Sequence, residues 1–194
     1  MRIFLAGASG AIGRQLVPML AEQGHEVAGM TRTEAKAEML RELGAEPVVL
    51  DVYDRRALLE AAAAFGPDLV MHQLTDLPND PARIAEMGAA NSRIRTEGTE
   101  NLLAAARAAG AARFVAQSIA WQLPTERGAA AVAEHEAMVL DAGGVVVRYG
   151  RFYGPGTYHE QGRPEPPMIH VAEAARRTLS ALDAPAGVVT IIEE

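Results

Sequence analysis

Three glycines spaced by three, Gly7, Gly10 and Gly13 in "AGASGAIG", stand between an apolar run and an amphipathic one. At such a junction a glycine-rich turn offers backbone N–H groups and the positive end of a helix to an anion, which is the chemistry of a phosphate cradle. Gly7 would let the chain turn sharply out of a strand, and Gly10 would let the backbone approach a pyrophosphate. Gly13 would let the helix pack close to the strand, and Ser9 would add a hydroxyl. A plain strand-to-helix turn can use the same residues, so the rest of the chain has to decide.

Dinucleotide sites selective for NAD usually carry an acid about 20 residues beyond the glycines, on the ribose diol. Here the chain reads "GMTRTEAK", with Arg32 between Thr31 and Thr33 and Lys36 one helical turn later. That set suits a 2′-phosphate, so NADP is favoured over NAD. The plainer reading is an exposed arginine at a helix start beside Glu34. Asp51 and Val52 follow a third apolar run, where an adenine would lie, although an aspartate after a strand also serves as a helix cap.

Candidates for proton chemistry are Ser118 and Tyr153, the latter with Arg148 and Arg151 near enough in sequence to lower a phenol pKa. Packing against a cofactor or lid is the alternative role for Tyr153. Among the histidines, His72 ends an apolar run and reads as a core or rim residue, and His135 between Glu134 and Glu136 reads as a solvated helix face. His159 reads as an exposed loop residue, and His170 as a link between a lid and the last helix. Trp121 and Gln122 stand where they would line a pocket entrance or fill a gap. Lys36 is the only lysine, there is no cysteine, and no His, Asp or Glu set has metal-ligand spacing, so no metal is expected.

The elements that would position these residues alternate along the chain. Residues 2–7, 26–31, 47–51, 68–74, 113–118, 145–150 and 187–193 are short apolar or β-branched runs closed by Gly, Pro or Asp. Residues 11–23, 34–43, 54–64, 82–109, 126–142 and 170–183 carry helical periodicity. Such alternation calls for a parallel sheet of about seven strands with helices on both faces, a doubly wound α/β architecture. With 194 residues the chain suits one domain, spanning 1–194. Residues 150–169 are rich in Gly and Pro and read as a short lid loop over the sheet's C-terminal edge, or as a surface excursion.

A formal net charge of −7 gives no general attraction to nucleic acid or an anionic membrane. No run approaches the roughly 20 apolar residues of a membrane span, and the first apolar run stops at Gly7, so no secretory signal is expected. These features fit a cytoplasmic protein with a small-molecule substrate.

Taken together, "GASGAIG", "LDVYD", "VMHQLTD", "NSRIRTEGTENLLAAARAAGAARFVAQSIAW", "VVVRYGRFYGPG" and "MIHVAEAARRTL" resemble the extended and atypical short-chain dehydrogenase/reductase group, the NAD-dependent epimerase/dehydratase relatives. The resemblance implies a Rossmann fold with a dinucleotide across it. Gly7, Ser9, Gly10, Ala11, Ile12 and Gly13 would hold the pyrophosphate, Arg32 the 2′-phosphate, and Asp51 and Val52 the adenine. Leu74 and Thr75 would lie along the adenosine ribose and diphosphate. Ser118 would face the nicotinamide, and Phe152 and Tyr153 would border its carboxamide or the substrate.

The group's usual acid/base is a tyrosine with a lysine four residues on, the cation helping the phenol to ionise. Aligning Glu136 with the glutamate that follows that pair puts Gly128 and Val132 in its place, and no tyrosine here has a lysine four positions on. About a dozen residues join Gly156 to Met168, which implies a reduced C-terminal substrate lobe. Three functions fit: an NADP-dependent oxidoreductase or epimerase-type enzyme on a small carbonyl or alcohol using Ser118, Tyr153 or water; a non-catalytic NAD(P)H-binding redox sensor or regulator; or a non-redox lyase or isomerase. Ala-rich helices at 82–109 and 126–142 are similar to the pair through which relatives dimerise, so a homodimer is expected.

Overall fold

Apolar and β-branched residues can satisfy their backbone in a sheet buried on both faces. In the computed structural model, which describes residues 1–78 and 81–193, they do so in nine strands. These are β1 (Arg2–Ala6), β2 (Glu26–Thr31), β3 (Glu46–Val49), β4 (Leu69–His72), β5 (Arg113–Ile119), β6 (Val145–Tyr149), β7 (Arg151–Tyr153), β8 (Met168–His170) and β9 (Gly187–Ile191). Seven form one parallel sheet in the order β3-β2-β1-β4-β5-β6-β9. The doubly wound α/β expectation is met, and the strand order reverses between β1 and β4. In open sheets of this kind ligands bind at the carboxyl ends of the strands, at such a reversal.

Alternate residues of each strand feed two cores. Ile3, Leu5, Met71, Val115 and Val147 face α1 (Gly13–Glu22) and, further along the chain, the helix Val171–Thr178, with Leu16, Val17, Leu20 and Ala174 buried against them. Phe4, Ala6, Val70, Phe114 and Val146 face the opposite way. They pack on α3 (Arg55–Phe65), which follows α2 (Ala37–Glu42), and on two later helices, Thr99–Ala108 and Glu126–Asp141; α4 (Gly88–Arg93) lies against the latter, so the two are α5 and α6. Burying a leucine such as Leu16 or Leu102, both fully covered, stabilises by about 2 kcal/mol. The helix Val171–Thr178 is α7.

Two segments depart from the sequence reading. The helix expected over 82–109 begins as a 3-10 turn at Pro81–Met87 and passes through a π-helical turn, Ile94–Gly98, between α4 and α5. Three hydroxyls bond back to carbonyls four residues earlier: Ser92 to Gly88 at 2.9 Å, Thr96 to Ser92 at 3.3 Å and Thr99 to Arg95 at 2.5 Å. Such bonds compete with the backbone ladder and loosen it. The second departure lies within 150–169, which is not all loop. Its ends pair as the parallel strands β7 and β8, and only 154–167 forms a strap between them. Among the described residues, no helix is long and apolar enough to cross a membrane.

Candidate functional site

The three glycines stand at the end of β1, and they differ in what surrounds them. Gly7 has φ +91°, and a Cβ there would stand 2.5 Å from the Gln73 carbonyl oxygen. A Cβ on Gly13 would overlap the Gly7 oxygen and stand 2.7 Å from the Ala8 carbonyl, so α1 sits hard against β1. A Cβ on Gly10 would meet only the Gly7 oxygen, at 3.2 Å, so its outward side is open. The Gly10 N–H closes the turn onto the Gly7 carbonyl at 3.0 Å. Helix α1 begins with no side-chain cap and no acidic residue in its first turn; Arg14 and Gln15 already donate to the Gly10 and Ile12 carbonyls, so what the turn offers an anion is the helix's positive end and the N–H groups just before Arg14. Ile12 is buried and Ala11 half-buried, so what they present outward is backbone. The Ser9 hydroxyl lies 3.2 Å from that of Thr31 and links the cradle to the end of β2.

Just past β2, the Arg32 guanidinium donates to Asp76 Oδ1 at 3.0 Å. Arg32 is half-exposed, whereas Asp76, from the loop after β4, is buried. Asp51 accepts the Tyr53 N–H at 3.0 Å, and Asp54, three residues on, caps α3 through the Ala57 N–H. The cap considered for Asp51 therefore belongs to Asp54. Val52 is buried, and its carbonyl accepts from the Asn101 amide at 3.1 Å, which holds this loop against α5. The Tyr53 ring lies under the Arg93 guanidinium, 3.8 Å from the ring centre. Burial, aided by the Asp76 charge, pushes the Tyr53 phenol up to about 12.

Along the ends of β4, β5 and β6 lies a buried polar cluster. Ser118 donates to Glu136 Oε1 at 2.5 Å, and Arg148 grips the same carboxylate through both oxygens, at 2.9 and 2.5 Å. Burial opposes ionisation of Glu136, but hydrogen bonds from Arg148 and Ser118 outweigh it and hold the carboxyl below its ordinary range. His135 is buried, not solvated as its glutamate neighbours suggested. Its Nε2 donates to the Gln117 carbonyl at 2.9 Å and its Nδ1 lies 2.7 Å from the Thr99 hydroxyl. A carbonyl can only accept, so Nε2 carries the proton, and the one Thr99 hydrogen is shared between Nδ1 and the Arg95 carbonyl, which also can only accept. His72 stands edge-on to His135, ring centres 5.3 Å apart, and its Nδ1 accepts the Leu74 N–H at 3.2 Å. The Leu74 carbonyl in turn accepts from Gln117, and Thr75 is exposed.

The strap closes the far side. Phe152 packs on Tyr149 and the α1-side core. Tyr153 donates to Glu193 at 2.6 Å, and that bond raises its phenol pKa. The lowering expected from Arg148 or Arg151 is thereby reversed: Arg148 is committed to Glu136, and Arg151 stacks on Trp121 at 4.9 Å. His170 caps α7 through the Ala172 N–H and stands edge-on to Tyr153, the link expected of it, while His159 is exposed. Tyr158 donates to the Pro78 carbonyl, and Gly156, at φ +77°, lets the strap pass the Arg14 guanidinium at the start of α1. The strap thus reaches the loop after β4 and the start of α1.

Sequence reasoning missed Asp76, Arg95, Thr99 and Glu193. Asp76 had a signal, an acid just past an apolar strand as at Asp51. Arg95 and Thr99 had none, because the π turn aims them inward.

A family model described as the NAD dependent epimerase/dehydratase family matches residues 3–120. The 3-diazoavenalumate denitrifying reductase of a Streptomyces species is 42% identical over 183 residues, covering 81% of this chain and 58% of that protein. A 4-hydroxy-2-methyl-3-oxo-4-farnesyl-3,4-dihydroquinoline-1-oxide ketoreductase of Stigmatella aurantiaca is 37% identical over 115 residues, 59% of this chain and 32% of that one. The chain therefore spans little more than half, or less, of these relatives' lengths. In fold it is similar to the UDP-glucose 4-epimerase of Thermus thermophilus solved with NAD: TM-score 0.81, 20% identity, 99% of this chain and 78% of that one covered. With its seven-stranded parallel sheet, its glycine cradle and the match over most of its sheet, this chain belongs to the NAD dependent epimerase/dehydratase family.

Proposed function

We propose that the chain is an NADP-favouring oxidoreductase that acts on a small carbonyl or alcohol substrate without the tyrosine–lysine pair. The observation that carries this reading is the asymmetry of the cradle. Gly7 and Gly13 are glycines because protein backbone presses on them, whereas Gly10 faces open space in front of an uncapped helix. A turn needed only for packing has no use for the third glycine. A bound dinucleotide supplies the hydride. The chain's residues bind and orient it: α1 N–H groups at the pyrophosphate, Arg32 at the 2′-phosphate, Val52 and Asp51 at the adenine, and Ser118 with Phe152 and Tyr153 at the nicotinamide end. The relatives named as reductases support the same class. Two shallow hollows, about 500 and 260 Å³, run along the exposed flanks of α4, α5 and α6, the faces through which a homodimer would form. The test is NADPH consumption followed by absorbance against a panel of small aldehydes and ketones; steady turnover supports the reading, and none across the panel counts against it.

One observation favours the sensor reading. Ser118 is spent on Glu136 and Tyr153 on Glu193, so neither hydroxyl is free for a substrate. Tight NADPH binding with no turnover would select it.

Cofactor preference follows from the Arg32–Asp76 pair. Arg32→Ala is expected to weaken NADPH binding about tenfold or more and NADH binding little, the scale of one charge-assisted phosphate contact. Asp76 already neutralises part of the guanidinium. Asp76→Asn should therefore raise the NADPH:NADH affinity ratio about threefold to tenfold, the range of a partly exposed charge interaction. Paired titrations check both. An unchanged ratio in both variants would place the 2′-phosphate elsewhere.

A further inference from the structure

The π turn Ile94–Gly98 carries Arg95 into the interior, where only 6% of the residue remains exposed. Its Nε has no hydrogen-bond partner, and among the described residues the guanidinium makes no ion pair. The groups around it are ill-suited to balance its charge. His72 and His135 are held neutral, and the Arg95 charge is one reason that both are. Thr99, which bonds to the Arg95 carbonyl, is occupied with His135. Glu136 is the acid whose charge favours Arg95, yet it accepts Ser118 and is gripped by Arg148 through both oxygens. Two guanidiniums and one carboxylate leave this cluster with excess positive charge beside Ser118, at the end of β5.

A buried ion without a partner costs several kcal/mol, and replacing it by an apolar side chain of similar volume usually stabilises a protein. A guanidinium is also the side chain whose fork matches a carboxylate. We infer that Arg95 is the counter-ion for a carboxylate on the substrate, which enters at the ends of β4 and β5 beside Ser118. The substrate class of the proposed oxidoreductase is then small carbonyl compounds that also bear a carboxylate. The redox step rests on the reading given above, but the anion site does not, since it is argued from Arg95 and the side chains around it without the dinucleotide.

The experiment is thermal unfolding of the wild type, Arg95→Met and Arg95→Lys, each with and without NADPH, titrated with benzoate and with benzyl alcohol as the neutral control. Benzoate is expected to raise the wild-type midpoint and benzyl alcohol to leave it in place. Arg95→Met should unfold at a higher temperature than the wild type in buffer, while its apparent benzoate affinity falls at least about tenfold, the loss of one charge-assisted pair. Arg95→Lys, which keeps the charge without the fork, should retain part of the response. The inference is overturned if benzoate does not stabilise the wild type. It is equally overturned if Arg95→Met is less stable than the wild type, for then Arg95 serves the fold. NADPH binding without a benzoate response sinks this inference alone, and a benzoate response without NADPH binding sinks the oxidoreductase reading alone.

Discussion

Gly10→Asp is expected to fold as the wild type does and to bind neither NADPH nor NADH. Gly10 is not among the glycines with positive φ, so an aspartate can take its backbone conformation. The new Cβ would meet only the Gly7 oxygen, at 3.2 Å, which a small shift relieves. The carboxylate would project into the space before α1 and place a negative charge where the pyrophosphate belongs. Repulsion and lost access together should cost at least about a hundredfold in affinity, near 3 kcal/mol. Gly13→Ala is the contrasting case. Its Cβ would overlap the Gly7 oxygen and stand 2.7 Å from the Ala8 carbonyl, backbone atoms that cannot yield without moving β1 from α1. Overpacking of this kind costs about 1–3 kcal/mol or more. Circular dichroism, thermal midpoints and calorimetric titration of both variants separate the two roles. Gly10→Asp unfolding with Gly13→Ala, or binding dinucleotide normally, would make the loop a packing device only.

Acid should destabilise the protein before its carboxylates titrate. Burial foremost, then the Arg95 charge, takes His135 down to about 4, against about 6.5 for an unfolded histidine. A histidine whose folded pKa is lowered binds its proton more readily in the unfolded state. Its contribution is therefore intact above pH 6.5 and drains away as the pH falls from 6.5 to 4. From pH 7 to pH 5 the loss from His135 alone is about 2 kcal/mol. His72, also lowered chiefly by burial, acts in the same direction. Urea denaturation at pH 7 and pH 5 measures the difference. His135→Gln should be less stable at pH 7 and show a flatter pH dependence; an equally steep profile in that variant would mean that other groups govern the acid limb.

Much of the fold was legible because each strand's signal is local. Apolar runs such as "VVVRY" and "IFLA" need no partner to be recognised, and the glycine spacing marked the strand-to-helix turn without coordinates. The π turn was not legible: residues 88–108 keep helical composition throughout, and only the back-bonding hydroxyls of Ser92, Thr96 and Thr99 show where the ladder loosens. His135 did carry a signal that its flanking glutamates obscured. Ala131, His135 and Val139 recur every four residues and form the buried stripe of α6. Tyr153 was placed at the right edge with the wrong electrostatics, because its partner Glu193 lies 40 residues away and meets it only when the sheet forms. Arg32 was read beside Glu34 for the same reason, its partner Asp76 coming from a different strand end.

The measurement that bears most directly on a dinucleotide in this cradle is calorimetric titration of the wild-type protein with NADPH, NADP, NADH and NAD. The expected result is one site per chain, with the phosphorylated pair bound more tightly than NADH and NAD. Absence of binding by all four would contradict both the oxidoreductase and the sensor readings, and would leave a doubly wound scaffold put to other use.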